Sequence, residues 1–240
     1  ERGQYLVFDD TKMVLSQYRP FTKKYLYYDE NLNENPGGFR KFKNIKAIYI
    51  PSGSKNNFSS LIINHIPEYG LLSSGRGYNL YPLADDNLFN QHFGINIFLD
   101  EFNEEEGFYY IYGVLHSLEY CQKYDSDLKK DVPRIPSLVD KKQYVKVGHQ
   151  LADLHLNYED QPNWYGVEVE ISKPDYRVKK MKHPKKGVLD TIIYNESITI
   201  KNIPERAYEY VVNGRPAIEW IIDQYQVKKD KKSGITDDPN

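Results

Sequence analysis

Residues 173–186 gather seven bases against one acid, Asp175, in a 240-residue chain whose formal charge is −2. The stretch YRVKKMKHPKKGVLD (residues 176–190) supplies Arg177, Lys179, Lys180, Lys182, Lys185 and Lys186. Guanidinium and ammonium donors at this density neutralise phosphates, and such contacts position a polyanion without reading its sequence. The same residues also suit a solvated turn, and both readings stand at this stage. Elsewhere DEFNEEE (residues 100–106) holds five acids and no base. A near-neutral total thus conceals an electrostatic dipole able to orient a polyanion on one face.

Two polar, glycine-containing loops add a different chemistry. PSGSKNNFSS offers Ser52, Ser54, Lys55, Asn56 and Asn57, and LLSSGRGYN offers Ser73, Ser74, Arg76, Tyr78 and Asn79. Forked Asn and Arg side chains match adenine and guanine edges, while Ser and Lys grip phosphates. Gly53, Gly75 and Gly77 let the backbone come close to a ligand. Each loop taken alone is also an ordinary surface connection. Two of them beside a cationic hairpin make an inventory for recognition.

Catalytic patterns are missing. There is no GxxxxGK[ST] phosphate loop, no GxGxxG, no GxSxG and no [DNS]PP[YFW] tetrapeptide; Asn35-Pro36 runs on into Gly37-Gly38. Pro174-Asp175 could begin a PD-(D/E)xK nuclease motif, but the next DxK triplet, residues 230–232, falls in a polar tail, whereas metal-assisted hydrolysis needs converging carboxylates. Six histidines (His65, His92, His116, His149, His155, His183) yield one helical pair, His149 with Asp153, short of the three or four ligands that zinc requires. Cys121 reads as a small buried hydrophobe. The chain is expected to hold no catalytic, cofactor or metal residues.

The elements that must position these groups read as α+β. Residues 1–103 are mostly strands and loops, with strands at QYLVFD, KYLYYD, IKAIYI and LIINHI. Residues 104–160 are helical, with Phe108, Ile111, Tyr112 and Leu115 in helical register and a second helix over Lys141–Leu156 that turns Val147, Leu151 and Leu154 to one side. PRIPS, residues 133–137, separates the two. Strands return over 165–202 as GVEVEI, DYRVKKM, LDTIIYN and SITI, with HPKKG at the tip of a basic hairpin. Residues 204–227 are expected helical, through AYEYVV, closed by a left-handed cap signal at Asn213-Gly214, and AIEWIIDQYQ, restarted at Pro216, and 228–240 form a loosely held polar tail. The sum is a single large domain, a mixed β-sheet with flanking helices from the middle and C-terminal segments.

Composition narrows the setting. One cysteine excludes an internal disulfide and a multi-cysteine zinc site, which favours a reducing, cytoplasmic compartment. No apolar run approaches the roughly 18 residues that cross a bilayer, so no membrane partner is expected. Twenty-two tyrosines suit half-buried strands and wet interfaces. A start at Glu1 and an end at DDPN suggest a piece of a longer protein.

Four stretches carry a resemblance: YRPFTKKYLYYD (18–29), FYYIYGVLHSLEYCQKYDSDLKKDVPRIP (108–136), GHQLADLHLNYE (148–159) and residues 191–240 from TIIYNESITIKNIPERAYEYVVNGRPAIEW onward. They resemble the C-terminal specificity, or target-recognition, domain of type ISP restriction–modification enzymes. Such enzymes are single-chain bacterial proteins combining a nuclease, a helicase-like ATPase translocase, an N6-adenine methyltransferase and, last, the recognition domain. The resemblance implies that double-stranded DNA is the partner, with the methyltransferase domain of the same parent chain beside it. S-adenosylmethionine, ATP and Mg would be bound upstream, with no cofactor in this fragment. The matching segments read as scaffold: 108–120 and 207–225 should pack on sheet, and PRIP should brace a helix junction or a neighbouring domain. Arg19, inside YRPF, either anchors a turn or touches a phosphate. Segments 50–103 and 164–190 match least and hold the loops and the basic run, as expected if relatives read different DNA. An isolated DNA-binding domain is usually basic, and the −2 charge implies that the parent's other domains share the phosphate contacts. Two rivals remain, a protein-interaction or interdomain clamp that never touches DNA and a stand-alone nuclease with metal near Asp175.

Overall fold

The computed structural model describes residues 5, 7–29, 31–32, 46–52, 57–72, 77–83 and 102–240. Their contacts gather in two units, one of Glu1–Arg19 with Lys23–Leu156 and one of Pro20–Thr22 with Asn157–Asn240. The α+β class holds. Its strands are shared among several small sheets rather than one, because most are two to five residues long and separated by helices and turns.

In the first unit, β1 (Met13–Arg19), β2 (Thr22–Tyr27) and β5 (Ile66–Pro67) form a sheet in the order β2-β1-β5, with β1 parallel to β5. A second sheet sets β3 (Ala47–Pro51) between β4 (Leu61–Ile63) and β6 (Tyr78–Pro82), both antiparallel to it. Every residue of β3 and β4 is buried. Their sequences are accordingly continuous apolar runs without the alternation of a half-wet strand. QYLVFD forms no strand at its described positions; Asp9 instead caps a 3-10 turn, Asp10–Lys12, through Thr11, and the strand begins at Met13.

The acids of residues 104–106 have a local explanation. Helix α1 (Glu104–Leu115) starts there, with Asn103 Oδ1 accepting from the Glu106 amide at 2.9 Å and Glu106 Oε2 accepting from the Asn103 amide at 3.1 Å. This capping box satisfies two orphan amides, and the carboxylates sit at the positive end of the helix dipole. From Phe108 to Leu115 every residue is buried, packed with Ile48, Ile50, Ile62 and Tyr81 of the sheet. Short α2 (Leu118–Lys123) and α3 (Asp125–Leu128) follow, then α4 (Lys141–Leu156), which runs against α1. The inward face of α4 is Gly148 and Ala152, while Val147 and Leu154 are 44% and 50% exposed, so the expected apolar face is corrected. The cause is a close backbone crossing: a Cβ on Gly148 would lie 2.0 Å from the Tyr109 carbonyl, and one on Gly113 2.4 Å from that of Tyr144. PRIP braces the helix junction as expected. Tyr110 and Tyr120 donate hydroxyl bonds to the carbonyls of Pro136 (2.6 Å) and Arg134 (2.8 Å), over a buried Ile135.

The second unit holds the antiparallel sheet β7-β9-β8, from β7 (Glu168–Ile171), β8 (Ile192–Ile193) and β9 (Ile198–Lys201). Its core is Val178, Met181, Ile192, Ile203 and Ile222. AYEYVV does not form a helix. A 3-10 turn, Glu205–Tyr208, leads into a hairpin of β10 (Val211–Val212) and β11 (Arg215–Pro216), turned by Asn213 and Gly214 at φ 50° and 76°. Two β-branched residues before Asn-Gly favour a type I′ hairpin, and that preference overrides the helical cap signal. Helix α5 (Ala217–Gln224) then lays Ile218 and Ile222 on the core. The tail is ordered into a hairpin of β12 (Lys228–Lys229) and β13 (Thr236–Asp237).

Candidate nucleic-acid interface

The two loops expected to carry recognition are rooted at one end of one strand pair. In the β3–β6 ladder Pro51 faces Tyr78 and Ile50 faces Asn79, and the Ser52 amide donates to the Gly77 carbonyl at 3.0 Å. The loop leaving β3 and the loop entering β6 are therefore joined at their roots, over a floor of buried strand. Gly77 has φ +76°, and a Cβ there would meet the Tyr69 hydroxyl at 3.3 Å, so both torsion and space call for glycine. Ser52, Asn57 and Asn79 are exposed. Ser54, Lys55, Asn56, Ser73, Ser74 and Arg76 lie outside the described residues, as do Gly53 and Gly75. Tyr78 and Asn79 belong to strand β6 rather than to the loop. The Tyr78 ring packs 4.8 Å from that of Tyr49 and 6.3 Å from that of Tyr69, and burial pushes its hydroxyl pKa well up, so it serves as a wall of the site's floor and not as a mobile reader.

The basic run occupies the second unit and departs from the expected hairpin in one respect. DYRVKKM is no regular strand; it is a strap fastened at nearly every residue. Asn195 Nδ2 donates to the carbonyls of Asp175 (2.6 Å) and Arg177 (2.9 Å), and the Tyr194 hydroxyl donates to that of Tyr176 (2.7 Å). The Asn240 side chain accepts from the Val178 amide at 2.6 Å and donates to the Val178 carbonyl at 3.0 Å. The Met181 amide donates to Tyr225, and the Val227 amide to Lys179. Lys182 exchanges both backbone bonds with Ile193, at 3.0 and 2.8 Å. Strand alternation gives way because Val178 and Met181, three residues apart, both point into the core. Beyond Lys182 the hairpin tip is as expected. His183 roots it between the Thr191 carbonyl (3.0 Å) and Glu219 Oε1 (2.9 Å), and Gly187 turns it at φ +86°.

Arg177, Lys179, Lys180, Lys182, Lys185 and Lys186 are all exposed. Arg177 approaches Asp238 at 3.7 Å and Lys179 approaches Glu196 at 3.5 Å. Such exposed, stretched pairs contribute little and yield readily to a polyanion. The strap thus holds a row of cations on a fixed backbone with their side chains in water. Sequence reading located the cations but missed their fasteners, Tyr194, Asn195 and Asn240. The one local signal was Asn195 in a turn, where its Oδ1 takes the amides of Ser197 and Ile198, both at 2.8 Å.

Other candidates resolve differently. Arg19 is an anchor: its guanidinium binds Glu68 at 2.5 Å and the Tyr18 carbonyl at 2.7 Å, and lies over the Tyr18 ring. His149 and Asp153 do share a helix face, 3.2 Å apart. Among the described residues no cluster of metal-ligating side chains occurs. The Asp175 carboxylate accepts from the Arg177 amide in a local turn. Cys121 is partly buried and directs its thiol to the Leu115 carbonyl, with its pKa raised by burial. Among the described residues no helix is long and apolar enough to cross a membrane.

The whole chain, residues 1–240, matches the model of one family, the Type ISP C-terminal specificity domain. The chain belongs to that family. Segments 50–103 and 164–190, which show least resemblance by eye, fall inside the match. Among solved structures, the specificity domain is similar to part of a nuclease-deletion mutant of the Type ISP restriction-modification enzyme LlaGI in complex with a DNA substrate mimic: 54% identity, TM-score 0.83, covering 97% of this chain and 18% of that one. It is also similar to part of the ATP-dependent Type ISP enzyme LlaBIII bound to DNA, at 48% identity and TM-score 0.85, covering 100% of this chain and 17% of that one. A DrdV–DNA complex shares the fold at 23% identity and TM-score 0.76, over 97% of this chain and 25% of that one. No curated protein matches. The specificity domain thus spans under a fifth of the LlaGI and LlaBIII chains.

Proposed function

We propose that this domain reads a duplex-DNA target for a single-chain restriction–modification enzyme. The observation that carries the reading is the near-complete match, at 54% identity, to part of a chain whose structure contains a DNA substrate mimic. Local geometry supports it. The strap cations, with Lys185 and Lys186 at the tip, contact phosphates, which sets register and orientation. The joined loops present Ser52, Ser54, Lys55, Asn56, Asn57, Ser73, Ser74, Arg76 and Asn79 to base edges in the major groove. Scaffold and reader divide the work, since the side chains of β3 and of α1 from Phe108 to Leu115 are buried and cannot reach a groove.

The domain itself carries no chemistry in this reading. Nuclease, ATP-driven translocase and N6-adenine methyltransferase activities belong to the rest of the parent chain, together with S-adenosylmethionine, ATP and Mg. The methyltransferase domain is the neighbour that acts on the base this domain selects. Charge reversal of Lys179, Lys180 and Lys182 to Glu in the parent enzyme should weaken every duplex alike and flatten the salt dependence. Arg76→Ala or Asn79→Ala should instead relax sequence choice, at about 1–3 kcal/mol of discrimination for a bidentate contact. Unchanged duplex binding after the charge reversal would remove the strap from the interface and favour an interdomain clamp.

A further inference from the structure

The polar tail, residues 228–240, is built into the same surface as the strap. Lys180 pairs with Gln226 in an antiparallel bridge, and the Val227 amide donates to the Lys179 carbonyl at 2.8 Å. The chain leaves this bridge as β12, turns, and returns as β13 so that Asn240 clamps Val178 and Asp238 meets Arg177. Strap and tail are thus stitched at both ends of the tail hairpin. The tail brings four more exposed cations, Lys228, Lys229, Lys231 and Lys232.

Two of its three side-chain carboxylates are engaged in shaping it. Asp230 Oδ1 accepts from the amides of Lys232 and Ser233 and from the Ser233 hydroxyl, closing the turn that Gly234 completes at φ +72°. Asp238 accepts from the amide and side chain of Asn240. Asp223 sits between Arg215 (3.5 Å) and Lys228 (3.6 Å). The remaining lysines project from a backbone that hydrogen bonds hold still, so little conformational freedom is lost when a phosphate arrives beyond that of the lysine stems.

We infer that the C-terminal hairpin is a second phosphate-contacting element, continuous with the strap, so that Lys228, Lys229, Lys231 and Lys232 extend the footprint on the nucleic-acid backbone. The inference rests on the DNA-reading function proposed above. Its ligand is the phosphodiester chain, and it adds no base readout.

The test uses the full-length enzyme and fluorescence anisotropy with a target duplex and an unrelated duplex across a salt series. Two variants are compared, Lys228, Lys229, Lys231 and Lys232→Gln together, and Lys179, Lys180 and Lys182→Gln together. Gln keeps a polar stem at exposed positions, and an unchanged thermal midpoint verifies the fold. The tail variant should lose affinity for both duplexes by the same factor, with the slope of log K against log salt shallower by about 2, as expected for two or more lost phosphate contacts. An unchanged slope in the tail variant beside a weakened strap variant overturns this inference and leaves DNA reading standing. Unchanged binding in both variants takes the second unit off the DNA and overturns this inference together with the strap's place in the interface.

Discussion

The two units hold themselves together by different means. In the first, eight successive residues of α1 are buried against two all-buried strands, and α1 meets α4 through glycines. In the second, β7 is exposed along its whole length, the core cluster is small, and side-chain amides fasten extended backbone. A deep apolar core makes a rigid floor from which loops can vary. A thin core with many polar fasteners leaves charged side chains exposed while keeping their backbone still. The first arrangement suits selection among bases, and the second suits sequence-blind contact with phosphates.

The contrast is broken most severely at the helix crossing. Gly148→Ala sets a methyl group against the Tyr109 carbonyl, which neither backbone can yield without separating α1 from α4. The expected cost is about 3 kcal/mol, seen as a fall in thermal midpoint.

Acid provides a subtler lever on the same unit. The Tyr112 hydroxyl accepts from the Ile62 amide at 3.1 Å and shares a 2.6 Å bond with His155 Nδ1, while His116 Nδ1 bonds the Tyr112 carbonyl at 2.9 Å. Burial lowers His116 from 6.5 to about 4 and His155 to about 3, the latter helped by the neighbouring imidazole. Both stay neutral when folded, whereas the unfolded chain takes up protons below about 6.5. Stability present at neutral pH is therefore lost as pH falls from about 6.5 towards 4 and 3, by up to about 1.4 kcal/mol per pH unit for each histidine. Denaturant titrations between pH 7 and 4 should show that slope, and His155→Gln should flatten it by about half.

The second unit should respond more gently. Asn195→Ala frees the carbonyls of Asp175 and Arg177, both exposed, at a cost of about 1 kcal/mol. Hydrogen exchange should quicken in residues 175–182 and stay unchanged across α1. Equal quickening in both places would erase the distinction between core-held and fastener-held units.

Local patterns were legible wherever the deciding physics was local. The acidic start of α1 at Glu104, the span Lys141–Leu156 and the HPKKG tip all follow from caps, period and turn chemistry. The AYEYVV segment was misread because Asn213-Gly214 serves equally as a helix cap and as a hairpin turn, and Val211-Val212 tipped the balance. The strand at Met13–Arg19 was displaced from QYLVFD by an Asp-centred turn that competes for the backbone. For the candidate site, residue types were legible and placement was not. The β3–β6 register pairs residues 27 or more apart, and the clamp on Val178 comes from Asn240, 62 residues on. No local period encodes contacts at that range.

The amide-to-carbonyl joint between Ser52 and Gly77 bears on how a new target could be acquired. A graft that replaces one loop inherits a root shaped by the other, whereas a cassette running from Pro51 to Tyr78 carries the joint with it. Recombination at those two positions would exchange both loops in a single event, together with the buried strand β4 that runs between them, so the new β4 would have to fit the unchanged β3.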